Sequence, residues 1–256
     1  MPGAALGVAP HSLRAVAPED LQFAAQLLPD GPIHIHAAEQ EREVADCLVW
    51  SGRRPVEWLL DETGLGPRWC IVHATHMTGD EIWRLAESGA VAGLCPVTEA
   101  NLGDGICPAT AYRRAGGRFG IGTDSNVSIS AAGELRALEY SQRLVEGRRN
   151  RLANRGQSVG RALVDAALAG GRQVSGRPVG AIAPGNRADF LVLDHAHPSL
   201  ACRQGDDVLD GWIFATETSA VRDVWVSGVH VVREGRHIAR EIAAADFKAC
   251  LRKVLA

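Results

Sequence analysis

Pro32-Ile33-His34-Ile35-His36-Ala37-Ala38-Glu39 sets a short apolar run against a histidine and a carboxylate at its end. Two later stretches repeat the arrangement. Trp69-Cys70-Ile71-Val72 runs into His73-Ala74-Thr75-His76, and Arg118-Phe119-Gly120-Ile121 runs into Gly122-Thr123-Asp124-Ser125-Asn126. Short apolar runs bounded by turn residues read as buried strands. Polar groups collected at the ends of successive strands are how an α/β barrel builds its site, at the carboxyl face where the strands converge.

Outward from these stretches, strand and helix patterns alternate. A run over 5–8 ends in Ala9-Pro10-His11-Ser12 and precedes a helix beginning near Pro18. The strand at 33–35 leads to a helix over about 41–60, interrupted near Gly52 and Pro55. The strand at 70–72 leads to a helix that Thr78 or Asp80 can cap. Residues 90–95 read as a strand with a loop over 96–101 behind it, and 119–122 as the fifth strand. Five strand–loop–helix units in a row predict a parallel sheet with crossover helices. Beyond 124 the pattern changes to helices over 131–147 and 158–173, then a turn and strand within 180–194. Residues 221–226 and 229–233 flank Ser227-Gly228 as a hairpin, and a helix covers 242–254. The expected division is a partial barrel over 1–177, a portion of a β-domain over 178–240, and a closing helix over 241–256.

Composition narrows the class. The 256 residues suffice for one large domain or one and a half. A net charge of −3 gives no reason to expect a nucleic-acid partner. The six cysteines are scattered without a CxxC pair, which fits reduced thiols of a cytoplasmic protein better than a disulfide framework. Cys70 and Cys95, in strand-like runs, read as small core residues. No apolar stretch reaches the length of a membrane span, and the first residues lack the basic start of a secretion signal, so a cytoplasmic location is expected.

The candidate residues follow from the strand ends. Alternation puts His34 and His36 on one strand face, which would suit a two-histidine metal clamp. The competing and preferred reading takes His36 alone as ligand, with Glu39 bending back over the strand end as a general acid/base. His73 can stabilise charge developing on a substrate, whereas His76 is expected to begin the next helix. Asp124, behind Gly122-Thr123, can bind zinc and take a proton from water. Arg14, in His11-Ser12-Leu13-Arg14, can pair with a substrate carboxylate or stand as a solvated helix-start residue. Glu99, Asn101 and Asn126 receive no role, and the acidic residues of the helices are read mostly as solvated faces.

Several stretches together resemble the amidohydrolase superfamily, and within it the deiminases of linear amidines. They are Gly7-Val8-Ala9-Pro10-His11-Ser12-Leu13-Arg14-Ala15-Val16, Ile33-His34-Ile35-His36-Ala37-Ala38-Glu39-Gln40, Val72-His73-Ala74-Thr75-His76 and Gly120-Ile121-Gly122-Thr123-Asp124-Ser125-Asn126. Cys95-Pro96-Val97-Thr98-Glu99-Ala100-Asn101-Leu102-Gly103-Asp104-Gly105 belongs with them, as does Pro184-Gly185-Asn186-Arg187-Ala188-Asp189-Phe190-Leu191-Val192-Leu193-Asp194. The resemblance implies one zinc ion per active site and hydrolysis of N-formimino-L-glutamate to N-formyl-L-glutamate and ammonia in histidine degradation. It implies His36 and Asp124 as metal ligands, Glu39, His73 and Asp124 as catalytic groups, and His11 and Arg14 as contacts for a small acidic substrate.

Such proteins carry an HxH metal pair on the first barrel strand, about half the protein earlier, and no such pair precedes Val8 here. By motif order the chain is expected to supply about strands 4–8 of a (β/α)8 TIM barrel and the C-terminal part of a small β-sandwich domain. Open sheet edges then lead us to expect association, including as a homo-oligomer. Two other readings stand beside this one: a deaminase of the same superfamily acting on a purine, adenosine-type or triazine substrate, and a non-catalytic remnant.

Overall fold

A computed structural model describes residues 4–255 and shows an α/β fold built on a parallel sheet. Helix α1 (Pro18–Leu27) precedes β1 (Ile33–Ala37), and α2 (Glu41–Ser51) and α3 (Pro55–Glu62) connect it to β2 (Trp69–His73). Then come α4 (Gly79–Ser88), β3 (Val91–Leu94), α5 (Pro96–Leu102), α6 (Ala109–Arg114) and β4 (Arg118–Ile121). The strands lie in the order β1-β2-β3-β4, every pairing parallel. Chain order and sheet order coincide, as repeated crossovers of one hand require.

The local signals are the expected ones. Gly52 takes a left-handed conformation at φ 73° and ends α2, while Pro55 opens α3. Thr78 caps α4 by accepting from the Glu81 amide, and the Glu81 carboxylate accepts from the Thr78 amide in return.

Three expectations need correction. Residues 5–8 form no strand of their own. Val8 and Ser12 make isolated parallel bridges to Ile33 and His36, and Pro10 between them has no amide to continue a ladder. Residues 96–101 are not a loop but the body of α5, begun by Pro96 and satisfied at its start by the Glu99 and Glu134 carboxylates. His76 does not begin a helix but lies in the turn before the Thr78 cap, where its Nε2 meets the Asp104 carbonyl at 2.6 Å.

One face of the sheet (Ile33, Ile35, Ile71, Ala92, Leu94, Phe119) packs with Leu59, Leu85, Tyr112 and Leu163 in the main core. The other face carries His34, His36, Cys70, Val72 and Val91. It is closed at the amino ends of the strands by α8 (Val159–Ser175), which follows α7 (Ala131–Glu146). Gln173 at the end of α8 donates to the Pro67 and Gly89 carbonyls at 2.9 and 2.7 Å, just ahead of β2 and β3. His34 donates to the Val174 carbonyl at 2.9 Å. Although His34 shares a strand face with His36, its Nε2 is committed to this closure. The carboxyl ends of the strands are left for the polar cluster.

After α8, β5 (Phe190–Leu193), β6 (Val221–Val226), β7 (Val229–Arg233) and β8 (Arg236–His237) form an antiparallel sheet in sequence order, with α9 (Asp207–Phe214) between β5 and β6. The expected hairpin turns at Ser227 and Gly228, with φ of 51° and 78°. Helix α9 packs against α7 and α8, and α10 (Arg240–Val254) buries none of its residues. No helix among the described residues is long and apolar enough to cross a membrane.

The α8–β4 contact depends on a missing side chain. A Cβ on Gly170 would sit 2.0 Å from the Phe119 carbonyl oxygen, whereas one on Gly171 would meet nothing within 4 Å. Gly170→Ala should therefore destabilise the fold by about 3 kcal/mol, because two backbones must separate. Gly171→Ala should stabilise it by about 0.5–1 kcal/mol, the ordinary gain from removing a helix glycine. Urea unfolding of the two variants checks both signs.

Candidate active site

Each strand end in the cluster leaves the sheet through left-handed backbone at a residue other than glycine. Ala38 (φ 54°) follows β1, His73 (φ 70°) and Ala74 (φ 50°) end β2, and Asp124 (φ 43°) lies beyond β4. Such residues cost of order 1–3 kcal/mol each and persist where their surroundings fix them. The surroundings are visible. The buried Glu43 carboxylate of α2 accepts from the Ala38 and Glu39 amides at 3.1 and 2.8 Å, which folds Glu39 back over the strand end. The Ala74 and His76 amides donate to the Ala37 and Ala38 carbonyls, extending the β1–β2 register into the turns. Thr98 of α5 donates its hydroxyl to the Thr123 carbonyl at 3.1 Å and accepts from the Ser125 amide at 3.3 Å, bracketing Asp124.

The six residues expected from sequence come together here. The His36 ring stacks on His11 with centroids 4.8 Å apart and lies 5.5 Å from the His73 ring. His36 Nδ1 donates to the His11 carbonyl at 2.7 Å, which leaves Nε2 as the lone-pair nitrogen. Arg14 donates to Glu39 Oε2 at 2.8 Å. The fully buried His73 points Nε2 to within 3.5 Å of Glu39 Oε1 and 3.9 Å of Asp124 Oδ2, and that nitrogen has no hydrogen-bond partner.

Charge in the cluster is tuned by these neighbours. Burial raises the Glu39 carboxyl pKa, but the Arg14 hydrogen bond and the His73, Arg14 and His36 charges together bring it below its ordinary value. For His73 burial works downward. It is outweighed by the hydrogen bond to Glu99 and by the Glu39, Glu99 and Asp124 carboxylates, so its pKa is raised. Burial, reinforced by the Glu99, Asp124 and Glu134 charges, keeps the Cys95 thiol protonated.

Two residues here have neighbours that their sequence reading did not give them. Glu99, given no role from sequence, is buried beside His73. Cys95, read as a small core residue, lies with His73 and Asp124 in a set whose donor atoms are all within 4.8 Å of one another. His36 stands outside that set. The helix carboxylates Glu43, Glu81, Glu134 and Glu139 are exceptions to the mostly solvated faces expected: all four are buried. Two surface cavities of about 250 and 260 Å³ are lined by none of the cluster residues.

The chain that carries this cluster has known relatives. The sequence profile of the amidohydrolase family matches residues 3–231. The chain belongs to the amidohydrolase family. It is 53% identical over 258 residues to a formimidoylglutamate deiminase of Pseudomonas aeruginosa, covering 99% of this chain and 56% of that protein. A crystal structure of an amidohydrolase from Brucella melitensis superposes with a TM-score of 0.94 at 56% identity, covering 98% of this chain and 55% of that one. An adenosine deaminase from Xanthomonas campestris with bound zinc superposes with a TM-score of 0.83 at 28% identity, covering 96% of this chain and 57% of that one. The chain thus spans about half the length of the relatives it matches.

The Arg14–Glu39 pair gives a test with a defined sign. A carboxylate whose folded pKa is depressed adds stability above its unfolded pKa, and that stability is lost as pH falls through the folded value. Because the guanidinium is 35% exposed, solvent holds the pair to about 0.5–1 kcal/mol. Arg14→Gln should cost that much at pH 7, and the difference from wild type should close as pH falls below 4.5, the ordinary carboxyl value. Urea unfolding across this range reads it.

Proposed function

We propose that this chain carries the acid–base and acidic-substrate half of a metal-dependent deiminase that converts N-formimino-L-glutamate and water to N-formyl-L-glutamate and ammonia. The observation behind the reading is the convergence of Arg14, Glu39, His73 and Asp124 in a chain 53% identical to a formimidoylglutamate deiminase. On this reading the parallel sheet is part of a (β/α)8 barrel and the antiparallel sheet part of a small β-sandwich.

The donor chemistry suits zinc. His36 Nε2 is left as a lone pair by the bond from Nδ1 to the His11 carbonyl, the outer partner that ligating histidines commonly have. With the Asp124 carboxylate it would supply two donors of a zinc site. When bound, the ion supplies the Lewis acidity that makes water a competent nucleophile near neutral pH.

The protein's own groups do the rest. Arg14, with His11 beside it, binds the substrate carboxylate. Arg14 cannot serve that carboxylate and Glu39 fully at once, so an acidic substrate draws the guanidinium away. Glu39 then loses the partner that depresses its pKa and becomes a better proton carrier. Asp124 takes the proton of the attacking water as the new C–O bond forms. Glu39 delivers a proton to the terminal nitrogen as its C–N bond breaks and ammonia leaves, and recovers one from the hydroxyl as the carbonyl forms, while the proton held by Asp124 departs with ammonia as ammonium. His73 Nε2 faces the reacting carbon's substituents and steadies the charge that develops there. Free cysteines at all six positions suit a cytoplasmic setting.

Two experiments test the reading. Zinc binding by the purified chain should be lost in His36→Ala and in Asp124→Ala and kept in Cys95→Ser. Loss in Cys95→Ser with retention in His36→Ala would transfer the ligand role to the thiol. Ammonia release from N-formimino-L-glutamate, assayed on the chain alone and joined to the additional length of its relatives, should fall about 100-fold in kcat/KM in Arg14→Ala. That is the scale of a charge-assisted carboxylate contact. An equal loss on a neutral formamidine would favour a substrate like those of the purine and adenosine deaminases instead.

A further inference from the structure

The geometry points to Glu99 as a positioning residue that sets which nitrogen of His73 faces the reaction. The inference rests on the function proposed above for His73, and Glu99 acts only through that ring. Its carboxylate is buried, 4% exposed, and its Oε1 takes two donors: His73 Nδ1 at 3.3 Å and the Cys95 amide at 2.9 Å. Glu99 is itself held firmly. It lies in α5, whose first turn is closed by Pro96 and by Glu134 accepting from the Val97 amide at 3.0 Å, and its carbonyl accepts from the Gly103 and Asp104 amides.

The ring lies between competing acceptors. Glu99 draws a proton to Nδ1, while Glu39 at 3.5 Å and Asp124 at 3.9 Å draw one to Nε2. With a single ring proton, the nearer and more buried carboxylate holds it at Nδ1 and leaves Nε2 free toward the substrate. Without Glu99 the remaining carboxylates all face Nε2, so the lone proton moves to that nitrogen and the ring loses its anchor.

The Cys95 amide makes the inference specific. It requires an acceptor at the Oε1 position, so in Glu99→Gln the side-chain amide places its oxygen there and turns its NH2 away. That oxygen would still accept from His73 Nδ1. Glu99→Ala removes both bonds.

The test is nitrogen-15 spectroscopy of the histidine rings at pH 7.5, with His73 assigned by its absence in His73→Asn. In wild type and Glu99→Gln, His73 Nδ1 should carry a proton. In Glu99→Ala the neutral ring should become protonated at Nε2. A wild-type ring bare at Nδ1, or a Glu99→Ala ring unchanged from wild type, would overturn the inference. A wild-type ring bare at Nδ1 overturns the inference even if Glu99→Ala does not fold. In the active form kcat should drop roughly 10–100-fold in Glu99→Ala, with KM changed no more than about twofold and most of the rate restored in Glu99→Gln. Full turnover in Glu99→Ala would also overturn it. Absence of turnover in every form would instead count against the proposed function, and the ring spectra would still decide the role of Glu99.

Discussion

Buried backbone amides that have left the sheet need acceptors, and in this protein buried glutamates provide them. Glu43 takes the Ala38 and Glu39 amides, Glu99 the Cys95 amide, Glu134 the Val97 amide, and Glu139 those of Arg151 and Leu152. Glu81 takes the Thr78 and Glu57 amides and pairs with Arg54 at 2.8 Å. An orphaned buried amide costs about 1–3 kcal/mol, and charge-assisted bonds are the stronger kind that can offset burying a carboxylate. Three of these bonds, to the Ala38, Glu39 and Cys95 amides, lie where a strand gives way to a turn. They keep the turns in one conformation although several turn residues occupy left-handed backbone.

That rigidity gives the cluster its chemical character. His73 Nε2 faces Glu39 at 3.5 Å and Asp124 at 3.9 Å without a direct bond to saturate the nitrogen. Left to relax, flexible carboxylates would reorient toward water. Glu39 is prevented by the Glu43 clamp on its backbone and by Arg14 on its side chain, while the Thr98 bracket fixes the backbone on either side of the exposed Asp124. Fixed polar groups need little reorganisation as charge moves, which is the general source of electrostatic catalysis.

The residues at the centre of the cluster were legible in the sequence because they interrupt a pattern. His36, His73 and Asp124 each stop an apolar run, and Gly52-Arg53-Arg54-Pro55 breaks a helix where those residue types should break one. The supporting glutamates were not legible. Periodicity assigns a charged helix residue to the solvent face, and only the tertiary position of Glu43 or Glu139 shows that a strand-end or loop amide lies opposite it. Glu99 is the clearest case: with 96–101 read as a loop, nothing in the local sequence directs its side chain toward His73. The segment at 5–8 failed for another reason. Its apolar run looks like a strand, but Pro10 limits the pairing with β1 to separate bridges.

Reach across the sheet joins these local devices to the function proposed. Neighbouring strands lie about 4.8 Å apart, so in a flat sheet the ends of β2 and β4, with β3 between them, would be separated by about 10 Å. His73 Nε2 from β2 nevertheless lies 3.9 Å from the Asp124 carboxylate beyond β4. The gap is spanned by the His73 ring and by the turn that carries Asp124 beyond the end of β4. The backbone contact of Gly170 with Phe119 brings α8 close beneath the His36-bearing face. A side chain at Gly170 would push α8 away from β4, loosening the support under the strands at whose carboxyl ends His36, His73 and Asp124 converge. Packing at the amino ends of the strands and the polar cluster at their carboxyl ends are thus coupled through one sheet.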